Sequence, residues 1–134
     1  MKEQTMKNNL NILSDVISKN VVIGLSYFDI NDQLLKQTQL MGSVIEATEK
    51  DGITILLPDK TSHFIIPTDL SAWFIAPSGR YYDKVFAIDM EDPDYLITWD
   101  IYQKQSSVDD KQHQWWDWIP RTSSPEVNAP SSSS

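Results

Sequence analysis

The run LLKQTQLMGSVIEATE, residues 34–49, most constrains what this chain can fold into. It reads as one long strand with a single glycine, Gly42, near its middle. A glycine inside a strand marks a bulge or a sharp bend where a side chain would collide. The expectation is therefore a strand bent at Gly42 that serves both halves of a strongly curved sheet.

The surrounding pattern is β as well. NVVIGLSYFDIN, ITILLP, SHFIIP and YLITWDIY are rich in β-branched and aromatic residues. In the last of these, Tyr95, Ile97, Trp99 and Ile101 fall on one face, and Leu96, Thr98, Asp100 and Tyr102 on the other. Turn chemistry separates the runs at Asp29–Asp32, at Lys50-Asp51-Gly52 and at Asp59-Lys60-Thr61. Pro67 ends the fourth run, because proline cannot donate to a ladder. TDLSAWF reads as one helical turn capped by Thr68 or Asp69. APSGRYY reads as a loop, and residues 83–94 as acidic and irregular with a short strand over Val85–Ile88.

Upstream, Met6, Leu10, Leu13 and Ile17 form a helical stripe over residues 6–18. The fold class expected is α+β, mainly β. An N-terminal helix is followed by a strongly curved antiparallel sheet or a small five-stranded SH3-like or Sm-like barrel. The alternative is an open antiparallel sheet with the helix across one face. Residues 1–20 form the helix and 21–104 the β domain. Residues 105–120 are a linker and Trp-rich segment, and 121–134 a Ser/Pro tail whose composition predicts disorder.

Between Val22 and Tyr102, VIGLSYFD, GSV, GITILLPD, IPTDLSAWFIAPSGRY and DPDYLITWDI form one pattern. This stretch resembles a widespread group of small bacterial proteins of unassigned function, with strand–hairpin–strand folds ending in a Pro-Asp-Tyr-Leu-x-Thr-Trp strand. The resemblance implies a small barrel and carries no activity, cofactor or catalytic residue.

Composition narrows the function classes. The 134 residues contain no cysteine, which excludes disulfides, thiolate zinc sites and thiol catalysis. No apolar run approaches the roughly 20 residues of a membrane span, and no signal peptide is read, so a cytoplasmic protein without membrane contact is expected. The net charge is −8, concentrated in residues 83–100. An acidic surface repels phosphate backbones, and the aromatics here accompany acids rather than bases, so no nucleic-acid partner is expected.

The acidic stretch EDPDYLITWDIY poses the main chemical question. Asp89, Glu91, Asp92 and Asp94 could supply oxygen ligands to a hard cation, but the loop lacks the glycine and the closing glutamate of a calcium-binding loop. The simpler reading is a corner: Pro93 stops the strand, Asp94 turns or caps the chain, and Tyr95 starts the buried face. His63 and His113 are isolated, no Gly-x-Ser-x-Gly elbow exists, and PSGRYY lacks the residues of a phosphate loop. Arg80 is expected to pair with Asp83 or Asp94.

The cluster Trp115, Trp116, Trp118 and Ile119 has three readings. It packs back on the barrel, it is an exposed binding anchor, or it stacks on sugars. These observations predict a non-enzymatic protein-binding module, with no cofactor and no bound metal. A concrete form is an immunity or inhibitor protein covering a basic partner. Asp83, Asp89, Glu91, Asp92 and Asp94 would steer that partner, and Trp73 or Trp115, Trp116 and Trp118 would anchor it. The alternatives are a self-associating assembly protein and a small metal-assisted hydrolase using the 89–94 corner.

Overall fold

The fold is that of a computed structural model, which describes residues 12–105 and 114–122. It is mainly β: a strongly curled half-barrel. The strands are β1 (Asn20–Phe28), β2 (Leu34–Thr48), β3 (Gly52–Leu56), β4 (His63–Ile66), β5 (Trp73–Ile75), β6 (Arg80–Asp83), β7 (Ile88–Glu91), β8 (Tyr95–Gln105) and β9 (Gln114–Pro120). The main sheet runs β4-β3-β2-β1-β8, and both β5 and β9 pair along the far edge of β8. β6 and β7 form a separate hairpin.

The long bent strand is present. β2 pairs with β1 from Leu34 to Ser43 and with β3 from Ser43 to Thr48. Gly42 sits where the strand changes partners. A Cβ there would lie 2.4 Å from the Leu56 carbonyl oxygen and 2.7 Å from Ile55 Cγ2. A bulge between Val44 and Glu46 follows within two residues and adds to the curl.

The core fills the inside of this curl. Val21, Ile23 and Leu25 of β1 face inward beside Tyr95, Ile97, Trp99 and Ile101 of β8, the face that alternation predicts. Val44, Ile53, Ile55 and Ile66 extend it, and Val16, Ala72 and Trp73 complete it. A second, smaller cluster lies on the other side of the central strands, where Val22 and Leu96 meet Tyr81 and Ile88 of the β6–β7 hairpin. The central strands are thus covered on both faces near their beginnings, which is why they read as nearly continuous apolar runs.

Several expectations are corrected. The chain over residues 12–18 is not an α-helix but a single 3-10 turn, Leu13–Val16, while residues 1–11 lie outside the described residues. The sheet takes over at this point: the Ser18 N–H donates to the Val44 carbonyl, and the Val44 N–H donates to the Lys19 carbonyl. Ser18 adopts φ 80°, so the helix cannot propagate. Val16, off the expected stripe, is buried, and Ile17, on it, is exposed.

Among the described residues the main sheet has seven strands rather than five, and it is not all antiparallel, since β1 and β8 run parallel. The β6–β7 hairpin carries the chain back so that β8 enters in the direction of β1. The short strand expected at 85–88 is displaced: Lys84–Ala87 form the hairpin turn, with Ala87 at φ 58°, and the strand is Ile88–Glu91. β8 extends to Gln105, and residues 106–113 and 123–134 lie outside the described residues.

Replacing Gly42 by alanine is expected to destabilise the fold by about 2–3 kcal/mol, because the clash is with a backbone carbonyl that cannot rotate away. At Gly24 the nearest neighbours of an added Cβ are side-chain atoms of Thr98 at 3.7 and 3.9 Å. Gly24→Ala should change stability by less than about 0.5 kcal/mol. Urea unfolding of both variants measures the contrast.

Asp59 organises the β3–β4 turn, accepting from the Thr61 and Ser62 N–H groups and the Ser62 hydroxyl. Those bonds, led by the Ser62 hydroxyl, lower its carboxyl to about 2. A depressed carboxyl stabilises the fold above its unfolded value, about 3.9, and that contribution disappears as pH falls through the folded value. Asp59→Asn should therefore flatten the loss of stability between about pH 4 and 2. Urea midpoints at stepped pH, compared with the parent chain, give the readout.

Candidate binding surface

The β6–β7 hairpin alternates inward and outward. Tyr81 and Ile88 point to the second cluster and are buried. Arg80, Tyr82, Asp89 and Glu91 share the outer face by register. Tyr82 is 57% exposed, and Val85, in the turn, 83%. An aromatic and an aliphatic side chain therefore stand in solvent among carboxylates.

Arg80 does pair with the acidic segment, but its partner is neither Asp83 nor Asp94. Its Nε and Nη2 donate to the two carboxylate oxygens of Asp89 at 2.9 and 3.0 Å. The cross-strand register decides this, because Asp89 lies diagonal to Arg80 on the same face. The guanidinium also sits 4.9 Å from the Tyr82 ring centre, fixing that ring on the outer face. The hydrogen bonds and charge of Arg80 hold the Asp89 carboxyl below the usual carboxylate range, and Asp89 raises Arg80 in turn.

The other acids are tied into the backbone. Asp83 accepts from the Val85 and Phe86 N–H groups and closes the hairpin turn. Asp92, at φ 50°, accepts from the Gly79 N–H at 2.7 Å and donates its own N–H to the Gly79 carbonyl. Asp94 accepts from the Asn20 N–H at 2.8 Å while its own N–H donates to the Asn20 carbonyl. That exchange clamps the first residue of β1 to the residue before β8. Pro93 between them is buried. The stretch is built as a corner, with Glu91 the one of the five whose side chain takes no hydrogen bond among the described residues.

The tryptophans separate into distinct roles. Trp73, expected as an anchor, is 0% exposed and belongs to the core, where its ring meets Tyr95 at 5.5 Å. Being in β5, it pairs with Ile97 and takes the inward face of that pair, so it offers nothing to a partner. Trp118 is half-buried, edge-on to Trp99 at 5.8 Å and 6.2 Å from Phe64 of β4. It fills the gap where the two sides of the curl approach. Trp116 stands edge-on to Tyr27 at 5.7 Å and is 39% exposed. The backbone of Trp115 lies in β9, and its side chain lies outside the described residues. Arg121, just after β9, forms a two-pronged ion pair with Asp100 and donates its N–H to the Thr98 carbonyl, which fastens this strand to β8.

Among the described residues no three histidine, aspartate or glutamate side chains converge as a metal would require. His63 is exposed on β4, and His113 lies outside the described residues. Among the described residues no helix is long and apolar enough to cross a membrane. Tyr82 and Val85 were not singled out by sequence reasoning. Their signal is the alternation of RYYDKVFAIDM, legible once residues 84–87 are read as a turn rather than a strand. No family model matches the chain, and neither a curated protein nor a solved structure matches it.

Loss of the Asp94 carboxylate should loosen the joint between β1 and β8. Asp94→Ala is expected to lower stability by about 1 kcal/mol, whereas Glu91→Gln should lie within about 0.5 kcal/mol of the parent. Equal effects in urea unfolding would show that the corner is not held by Asp94.

Proposed function

We propose that this chain is a non-enzymatic, cytoplasmic binding module for a basic protein, with the β6–β7 hairpin as its recognition arm. The observation that carries this reading is the outer face of the hairpin. Tyr82 and Val85 are held in solvent by a buried Tyr81–Ile88 root, with Asp89 and Glu91 on the face of Tyr82, Asp83 at the turn before Val85 and Asp92 just after β7. Arg80 beside Tyr82 and Lys84 in the turn are outnumbered by Asp83, Asp89, Glu91 and Asp92, and apolar anchors on a net negative arm suit a partner of opposite charge. The anchors supply affinity, and the field supplies selectivity and association rate. An immunity or inhibitor protein covering a basic toxin is a concrete form. The carboxylates of the corner contribute to the field although their positions are structural.

We also read the half-barrel as an elaborated SH3-like or Sm-like barrel. The bent β2 shared by two halves and the 3-10 turn Leu70–Ala72 between β4 and β5 support that reading.

A second reading, self-association, is favoured by one feature. Ile30, Leu34 and Leu35 are exposed around the β1–β2 turn, and Trp116 is exposed beside Tyr27 at the same end of β1. The two readings separate in one series. The full chain is used to capture a basic protein from a lysate of the source cells, and the association rate of that protein is measured at low and high salt. The rate should fall about tenfold between about 0.05 and 0.5 M salt, and Tyr82→Ser with Val85→Ser should speed dissociation. A salt-independent rate removes steering. No capture, together with a sedimenting mass that doubles on concentration, replaces the binding module with the self-associating protein.

A further inference from the structure

The curl of the sheet leaves a seam between β4 and β9. No backbone pairing joins these two strands; side chains bridge them, with Trp118 meeting Phe64. Beside Trp118 the seam opens into a shallow, solvent-open cleft of about 420 Å³, room for one side chain rather than an enclosed ligand. Ile66 and Pro67, at the end of β4, give it an apolar wall. The β2–β3 turn gives it a charged rim, Glu49 and Asp51 on either side of Lys50 in sequence. Neither carboxylate is in a salt bridge among the described residues. The rim is one charge negative, counting Lys50.

We propose that this cleft is a subsite for an arginine side chain of a partner polypeptide, a proposal that rests on the binding-module reading for the class of partner. An indole lining a cleft with carboxylates at its mouth matches the chemistry of a guanidinium. The planar cation stacks on tryptophan, its stem lies along apolar surface, and its fork of donors meets carboxylate oxygens. An ammonium offers the charge without the flat face or the fork, so arginine is preferred to lysine. An anionic group would face two carboxylates against one lysine. The position is informative too, because Trp118 is the residue that closes the seam. A guanidinium stacked there would be gripped by both sides of the curl at once.

The test uses the full chain and a short blocked peptide, acetyl-Gly-Arg-Gly-amide, with its citrulline analogue as the neutral isostere. Titration is followed through the Trp118 indole N–H resonance, assigned by its loss in Trp118→Phe. The arginine peptide should shift that resonance saturably. The citrulline peptide should not, and the lysine peptide should bind more weakly. Glu49→Gln with Asp51→Asn, two exposed changes in a turn, should weaken binding about threefold or more while leaving the spectrum of the core unchanged. An absent shift, an equal shift with citrulline, or a shift unaffected by the double variant overturns the subsite. Tyr82→Ser with Val85→Ser should leave the titration unchanged, so failure of the hairpin as a recognition arm and failure of this cleft are read separately.

Discussion

The parallel pairing of β1 with β8 is the constraint on which the rest of the structure depends. Both hydrophobic clusters hang from these two strands: Val21, Ile23 and Leu25 with Ile97, Trp99 and Ile101 on the inner face, Val22 with Leu96 on the outer. Parallel strands cannot be joined by a tight hairpin, so the chain between them must travel. It travels through β2, β3 and β4, crosses by the 3-10 turn to β5, and returns through the β6–β7 hairpin. Every other element is therefore an excursion from one central pair. The Asp94–Asn20 exchange sets the register at which the excursions begin and end.

That arrangement explains why an acidic segment can be structural and still shape the surface. A carboxylate that accepts backbone N–H groups satisfies donors that a corner would otherwise leave unpaired, and it adds to the acidic surface. Asp83, Asp92 and Asp94 each do this within the same dozen residues. The field of the segment is thus a by-product of how the chain turns twice in a short distance, and the hairpin then places Tyr82 and Val85 within that field.

Much of this was legible in the sequence where two signals agreed. Gly42 inside a run of fifteen strand residues pointed to the bend, because so long a strand must curl; Gly24, inside the shorter β1, marks none. The alternation of YLITWDIY gave the inward face of β8. The Asp-rich corner was readable because Pro93 and Asp94 both favour a turn. The misses share a cause in long-range pairing. The stripe through Leu13 and Ile17 satisfies a helical period, yet the backbone at Ser18 and Lys19 bonds to Val44, a partner the local pattern cannot reveal. Trp73 and Trp118 look alike in sequence; only the order of strands along β8 makes one a core residue and the other the plug of a seam. The partner of Arg80 likewise follows from hairpin register, which shifts when the turn is placed a few residues away.

The seam itself follows from the way the sheet ends. A curled sheet that stops short of closure exposes two edges, and exposed edges invite pairing with other chains. Here β4 is only four residues long and is followed at once by Pro67, while β9 ends at Pro120. Phe64 and Trp118 then fill the space between with side chains instead of hydrogen bonds. Rings can cover an edge without completing a ladder, and they leave room beside them that a continuous ladder would not. The cleft at Trp118 is the geometric remainder of that solution: Trp118 lines an opening that it shares with Glu49 and Asp51. A barrel closed by hydrogen bonds would be more resistant to unfolding at this point and would have no such opening.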